Sequence, residues 1–218
     1  DKVREFNGDF GVGFKGGEFF IIDRSGSETQ LEISELEDVR HFSEGLAPFR
    51  VKGQWGFVST DGSVAIGPNY KTVGYFSNGL AWAKTESGKV GFINPQGNWV
   101  IEPKFKAAKD FSTDGLARVK SEGWTFVDKS GTEITPSIAG SFGDFSDGLA
   151  YCKSGKKVGF IDKTGKVVID LQFDKVRDFK NGYAAVRQGE KWGFIDTKGK
   201  WLIEPKFEGL KDFEKTGE

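Results

Sequence analysis

Four aspartates recur at one phase of the chain, each three residues before a glycine: Asp23 and Gly26, Asp128 and Gly131, Asp162 and Gly165, Asp196 and Gly199. Repeated carboxylates could hold Ca²⁺, or two of them could flank a glycosidic bond as acid and base. Ser59 and Asn94 occupy the same column in other copies, and equivalent acids lie a whole repeat apart along the chain. An Asp that bonds its own backbone, followed by a Gly free to take positive φ, builds a tight hairpin turn. Turn capping is therefore the expected role. Nucleophilic catalysis needs a base beside the nucleophile, usually His. The only histidine, His41, stands in a slot that Glu5, Tyr75, Asp110, Asp144, Asp178 and Asp212 fill elsewhere, which reads as a polar edge. The single cysteine, Cys152, permits no internal disulfide. It shares a column with Phe49, Ala83, Val119 and Val186, the place of a small buried hydrophobe. One His and one Cys do not make a metal site of that kind, so no metal, no cofactor and no catalytic residue is expected.

Two further columns are candidates for binding. Arg50, Lys84, Lys120, Lys153 and Arg187 each follow a short apolar run. Such a column is either a ladder for anions or a solvated edge, paired with the acids before the phenylalanines, that guards against edge-to-edge association. The second column varies while its surroundings stay fixed: Pro48, Trp82, Arg118, Tyr151, Ala185. Packing positions repeat, so variation marks solvent or ligand contact. Trp82 and Tyr151 are then exposed aromatics suited to a protein or sugar partner, with Trp99 and Trp201 a second such set. The competing reading is that these rings cover neighbouring units.

What positions these columns is a repeat. Phe42, Phe76, Phe111, Phe145 and Phe179 each open a Phe-x-x-Gly-Leu-Ala-like motif, and Phe6 and Phe213 extend the series. The gaps are 36, 34, 35, 34, 34 and 34 residues. That spacing divides one uninterrupted array into units 6–41, 42–75, 76–110, 111–144, 145–178 and 179–212, with a seventh begun at 213–218. A fixed period of this length is the mark of a repeat architecture.

Within a unit the grammar is β. Leu116–Val119 and Tyr183–Val186 suit one strand. A second reads Trp192-Gly193-Phe194-Ile195, with Gly where a neighbouring ring or backbone must approach. After the Asp-x-x-Gly turn a third strand follows at 99–101 and 201–203, which Pro103 or Pro205 is expected to stop. The segment Lys104–Asp110 is a fourth short strand or a packed turn. The fourth unit departs from the pattern, with Thr125 at the motif Gly, and in the fifth Leu171 replaces the proline. The first unit lacks Trp and Pro, as expected of an end copy with one neighbour.

Lys plus Arg (31) nearly cancel Asp plus Glu (32), so nothing in the charge balance attracts nucleic acid or an anionic membrane, both of which need a concentrated basic surface. No apolar run approaches the roughly 20 residues of a membrane span. Asp1 and the lack of Met imply that a start segment has been removed, as a leader or by trimming.

Lys191-Trp192-Gly193-Phe194-Ile195-Asp196, then Ile203-Glu204-Pro205-Lys206-Phe207, then the Phe-x-x-Gly-Leu-Ala motif resemble the WG-repeat (KWG-repeat) family of bacterial proteins, over residues 6 to 213. The resemblance implies bacterial origin, an all-β array of short antiparallel strands, export or attachment to other domains, and an interaction role. It carries no catalytic residues. Two arrangements fit: units stacked as an open β superhelix, or six units closed as a β-propeller-like ring. Because about 34 residues is short for a propeller blade of about 40 to 50, the open stack is the expectation. The function expected is a non-enzymatic scaffold binding a protein or glycan partner. Its alternatives are a glycan-active hydrolase with paired carboxylates and a purely structural spacer or assembly module. The chain is expected to be a monomer and extracytoplasmic, with a cytoplasmic location left open.

Overall fold

A computed structural model describes residues 2–209, with side chains from residue 6; the start of a seventh unit at Phe213 lies outside them. All regular structure described is β, in six four-stranded sheets whose strands pair in chain order. The first sheet holds β1–β4 (Lys2–Asn7, Phe10–Lys15, Glu18–Asp23, Glu28–Gln30). The second holds β5–β8 (Leu36–Val39, Leu46–Val51, Gln54–Ser59, Val64–Tyr70) and the third β9–β12 (Thr72–Val73, Ala81–Lys84, Val90–Ile93, Trp99–Phe105). The fourth holds β13–β16 (Ala107–Ala108, Leu116–Lys120, Trp124–Asp128, Glu133–Ile134). The fifth holds β17–β20 (Ser141–Phe142, Leu149–Ser154, Lys157–Asp162, Val167–Phe173) and the sixth β21–β24 (Lys175–Val176, Tyr183–Gln188, Lys191–Asp196, Trp201–Phe207). By compactness the chain divides into Asp1–Phe111 with Ala117–Gly123 and Val127–Thr132, and Ser112–Leu116 with Trp124–Phe126 and Glu133–Glu218.

The all-β expectation holds, and both the stack and the ring are built from this same meander. The segment 104–110 resolves into two pieces: Lys104 and Phe105 finish β12, and Ala107–Ala108 open the next sheet. The expected stop at proline is corrected. β12 and β24 run on through Pro103 and Pro205 to Phe105 and Phe207. These are edge strands, where a missing N–H removes no ladder bond, and the proline sits in a bulge.

That bulge accounts for the motif glycine. Val90 pairs with Phe105 and Phe92 with Ile101, so Gly91 alone faces Glu102, Pro103 and Lys104. The bulged backbone presses onto it: a Cβ there would overlap the Ile101 carbonyl oxygen and lie 2.8 Å from the Pro103 nitrogen. Gly56, Gly159 and Gly193 meet the same backbone in their sheets.

The core lies between consecutive sheets. Leu46, Trp55, Phe57, Ile66 and Tyr70 of the second pack with Val73, Phe76, Ala81, Ala83 and Ile93 of the third. In four copies the Phe after the motif Gly, or after Thr125 in its place, meets the next anchor Phe edge-on. Phe57 with Phe76 and Phe92 with Phe111 are 4.8 Å apart, and so is Phe126 with Phe145. Opposite each ring pair a small residue, such as Ala47, Ala81 or Ala117, is fully buried. Large faces small, so sheets approach closely without voids.

The hairpin tips lock the same junctions. The glycine of each Asp-x-x-Gly turn has φ near 80°, as at Gly97 (φ 78). A Cβ on Gly97 would stand 3.2 Å from Ile66 of the preceding sheet, and one on Gly199 3.3 Å from Ile169.

Candidate functional site

The turn carboxylates cap turns. Asp162 Oδ1 accepts from the Thr164 hydroxyl (2.6 Å), the Thr164 amide (2.8 Å) and the Lys166 amide (3.2 Å). Asp23, Asp128 and Asp196 repeat the amide bonds, and Asn94 does so with an uncharged oxygen. In the second sheet Ser59 holds the column and Asp61 supplies the carboxylate, accepting from Ser59 and Ser63. Hydroxyl and amide donors hold Asp23, Asp128 and Asp162 below the usual carboxylate range. The Ser59 hydroxyl and then Ser63 take Asp61 down to about 2. Among the described residues, no group of three or more His, Cys, Asp or Glu is arranged to hold a metal ion.

A second set of carboxylates escaped the sequence reading. Glu44 accepts from the Asn78 and Gly79 amides of the next copy at 2.7 and 2.8 Å. Asp114 does the same for Gly148 at 3.0 Å, and Asp147 for Gly182 at 2.6 Å. Burial pushes the Asp114 carboxyl up, but the Lys163 ammonium and the Gly148 amide hold it below its ordinary value. The signal was present: an acid or Asn precedes the Gly of every motif from Phe42 to Phe179. Each of these turns takes positive φ at the Gly, and such turns leave amide donors to be met. Alongside, Ser43, Ser77 and Ser146 donate to the carbonyls of Phe76, Phe111 and Phe179 at 2.6 to 2.7 Å.

The basic column divides by partner. Arg50 lies 2.8 Å from Glu37, and Arg187 lies near enough to Asp174 to lower that carboxyl, after the larger effects of Lys157 and the Gly189 amide. For these two residues the acids come from the segment entering the sheet rather than from the slot before the phenylalanines. Lys84 is half-buried opposite Thr72, while Lys120 and Lys153 are exposed opposite Ala107 and Ser141.

The variable column is part of a three-position exchange. In the second sheet Arg40 stacks 3.7 Å over Trp55 and donates to the Val73 carbonyl, beside the small, buried Pro48. In the sixth Arg177 lies 5.9 Å from Trp192, beside buried Ala185. In the third sheet the cation is Gly74, the motif Trp is Val90, and the ring comes from Trp82, which lies against Gly74 with Asp110. In the fifth, Gly143, Val158 and Tyr151 repeat that solution, with Asp178 beside the ring. A site with one ring's volume is filled from either of two neighbouring strands. Trp82 and Tyr151 are thus half-buried and packed on the cores, with features of both readings that the sequence leaves open. Arg118 is half-buried as well.

Trp99 meets Tyr70 edge-on at 5.7 Å, and Trp201 meets Phe173 at 5.8 Å, so both lean on the preceding sheet. His41 stacks on Tyr75 at 4.0 Å. Cys152 is fully buried, and burial pushes its thiol up to about 11. Sequence reasoning also missed Val100, Val168 and Leu202, 44, 47 and 50% exposed on the edge strands. Their signal was an apolar residue directly before the buried Ile101, Ile169 or the half-buried Ile203, which in a strand points to the opposite face.

Solved structures of similar fold include Hsv2 of Kluyveromyces lactis, a propeller-like fold, at 10% identity and a TM-score of 0.54 over 95% of this chain and 86% of that one. The computationally designed Ika8 protein matches at 13% identity and 0.52, over 93% and 73%. A eukaryotic initiation factor matches at 14% and 0.57, over 88% and 62%. At these identities the likeness is one of fold. No curated protein matches the sequence. The WG containing repeat family matches residues 32–55, 55–89, 91–123, 159–192 and 192–217 and passes over the Thr125 copy. These five matches span most of the chain, which belongs to the WG containing repeat family.

Proposed function

We propose that this chain is a non-enzymatic repeat scaffold that presents a protein or glycan partner with anchored aromatic and charged side chains, outside the cytoplasm. The observation that carries this reading is the mounting of Trp82 and Tyr151. Each ring has one face fixed on a glycine and a core cluster, while part of it stays accessible. A ring held in this way loses little conformational entropy on binding, which is the character of an interface hot spot. Arg118, Trp99 and Trp201 are the neighbouring candidates, and Lys120 and Lys153 the exposed cations of the basic column. The recurring turn aspartates, the first acids to consider for hydrolysis, are engaged in capping turns. The test is capture from envelope extract and from a glycan array by wild type beside a Trp82→Ala, Tyr151→Ala double variant of verified fold. A ligand held by wild type and lost by the variant supports the reading; a ligand held equally by both removes these rings from the site.

A further inference from the structure

At three junctions a carboxylate carried on the turn of one sheet rests on the turn of the next. Glu44 accepts from the Asn78 and Gly79 amides at 2.7 and 2.8 Å, Asp114 from the Gly148 amide at 3.0 Å and Asp147 from the Gly182 amide at 2.6 Å. The turn of the second sheet has the same shape as these acceptors' partners. Glu44 and Gly45 take φ of 50 and 80, against 55 and 82 at Asn78 and Gly79. Successive amides in such a turn form a concavity suited to an anion.

The side chain that would serve this turn does not exist. Asn7 pairs with Phe10 across the turn of the first sheet as Ser43 pairs with Leu46, which puts Gly8 where other sheets carry Glu44 or Asp147. Among the described residues, no hydrogen-bond acceptor reaches the Glu44 or Gly45 amide. Between the two turns lies a cleft of about 480 Å³, lined by residues 7–10, residues 42–45 and Thr60. The two acids on its wall are engaged elsewhere: Glu44 by the amides of the third sheet, and Asp9 by Arg24 at 2.7 Å. Arg24 also donates to the Gly8 carbonyl at 2.9 Å, which brings a cation to the rim.

We propose that this cleft is a carboxylate-binding site, and that it receives an Asp or Glu side chain of a second polypeptide on the Glu44 and Gly45 amides. The ligand chemistry is the one the chain itself uses at the three other junctions, where equivalent amides hold Glu or Asp side chains. Neither Trp82 nor Tyr151 takes part, so the site stands whether or not those rings bind.

NMR titration of the isotope-labelled chain with N-acetyl-aspartyl amide, beside its asparagine counterpart, tests this. The Glu44 and Gly45 amides should shift saturably with the aspartyl probe, and the uncharged probe should bind about tenfold more weakly or worse. Gly8→Glu should weaken binding of the aspartyl probe by about tenfold or more, because its own carboxylate takes the amides, and should raise the thermal midpoint. The position admits a side chain: a Cβ on Gly8 (φ 69) would meet nothing within 4 Å, and Glu44 and Asp147 hold φ of 50 and 53 at the equivalent place. Gly8→Ala should bind as wild type does. No saturable shift at these amides, equal binding of the two probes, or a Gly8→Glu variant that binds like Gly8→Ala would overturn the site. Glucuronate binding more tightly than the aspartyl probe would overturn its assignment to a polypeptide.

Discussion

In the third sheet Gly91 lies under the bulge of a seven-residue edge strand; in the fourth, Thr125 stands at the same place and the edge strand has two residues. The Thr125 hydroxyl donates to the Ile134 carbonyl at 2.7 Å, bonding directly to the strand that Gly91 would let press in. The chain then leaves the ladder, and the Ser137 amide donates to the Gly165 carbonyl at 2.8 Å. The first sheet agrees: Phe20 holds the glycine position and β4 has three residues, while the sheets with Gly56, Gly159 and Gly193 all have seven. The seven-residue, bulged edge strand occurs in the sheets with Gly in this column and not in those with Thr125 or Phe20. Other parts of the unit are indifferent to it, since Phe126 meets Phe145 at the same 4.8 Å as Phe92 meets Phe111.

The largest effect expected tests that indifference. Phe92→Ala and Phe126→Ala should each cost about 3–5 kcal/mol in chemical denaturation, because both leave a cavity in a closed junction. A loss under about 1 kcal/mol at Phe126 would show that the fourth sheet does not share the frame. Next comes the exchange of the aromatic between strands. Gly74→Arg alone should cost about 1–3 kcal/mol by overpacking against Trp82. Combined with Trp82→Pro and Val90→Trp, which rebuild the second-sheet solution, it should recover most of that loss through coupling among touching residues. Additive losses in the triple variant would dismantle the three-position account. Thr125→Ala removes one hydrogen bond, and about 1 kcal/mol should go with it.

The smallest effect is one of pH. The Asp61 carboxyl is held down to about 2 against an ordinary 3.8. A depressed carboxyl contributes stability that is present above the unfolded value and lost as pH falls through the folded one. The stability gap between wild type and Asp61→Asn should therefore be full near neutral pH and close between about pH 4 and pH 2. A gap unchanged over that interval would mean that the carboxylate does not cap the turn.

Much of this was legible from residues in one column. Asp162 and Gly165 announce their turn because both requirements, a local acceptor and a positive φ (81 at Gly165), fall within four residues. The anchor phenylalanines announce the period because each must fill an equivalent junction. Pro205 misled because a proline ends a central strand but not an edge strand, and edge position is a property of the sheet. Trp82 was left between two readings for a related reason. Its variation is compensated at Gly74 and Val90, eight residues away on either side, so one column alone looks free. For Arg50 and Arg187 the acids within reach, Glu37 and Asp174, come from the strand-entry segments, which change from copy to copy and so form no column to read.

The central claim is that the motif glycine exists to admit the bulged edge strand, and the most direct measurement is urea denaturation of Gly91→Ala beside Thr125→Ala. The account predicts a loss of about 3 kcal/mol or more for Gly91→Ala, since the added methyl meets backbone that cannot move without undoing the bulge, against about 1 kcal/mol for Thr125→Ala. Equal losses, or a Gly91→Ala protein within about 0.5 kcal/mol of wild type, would contradict it.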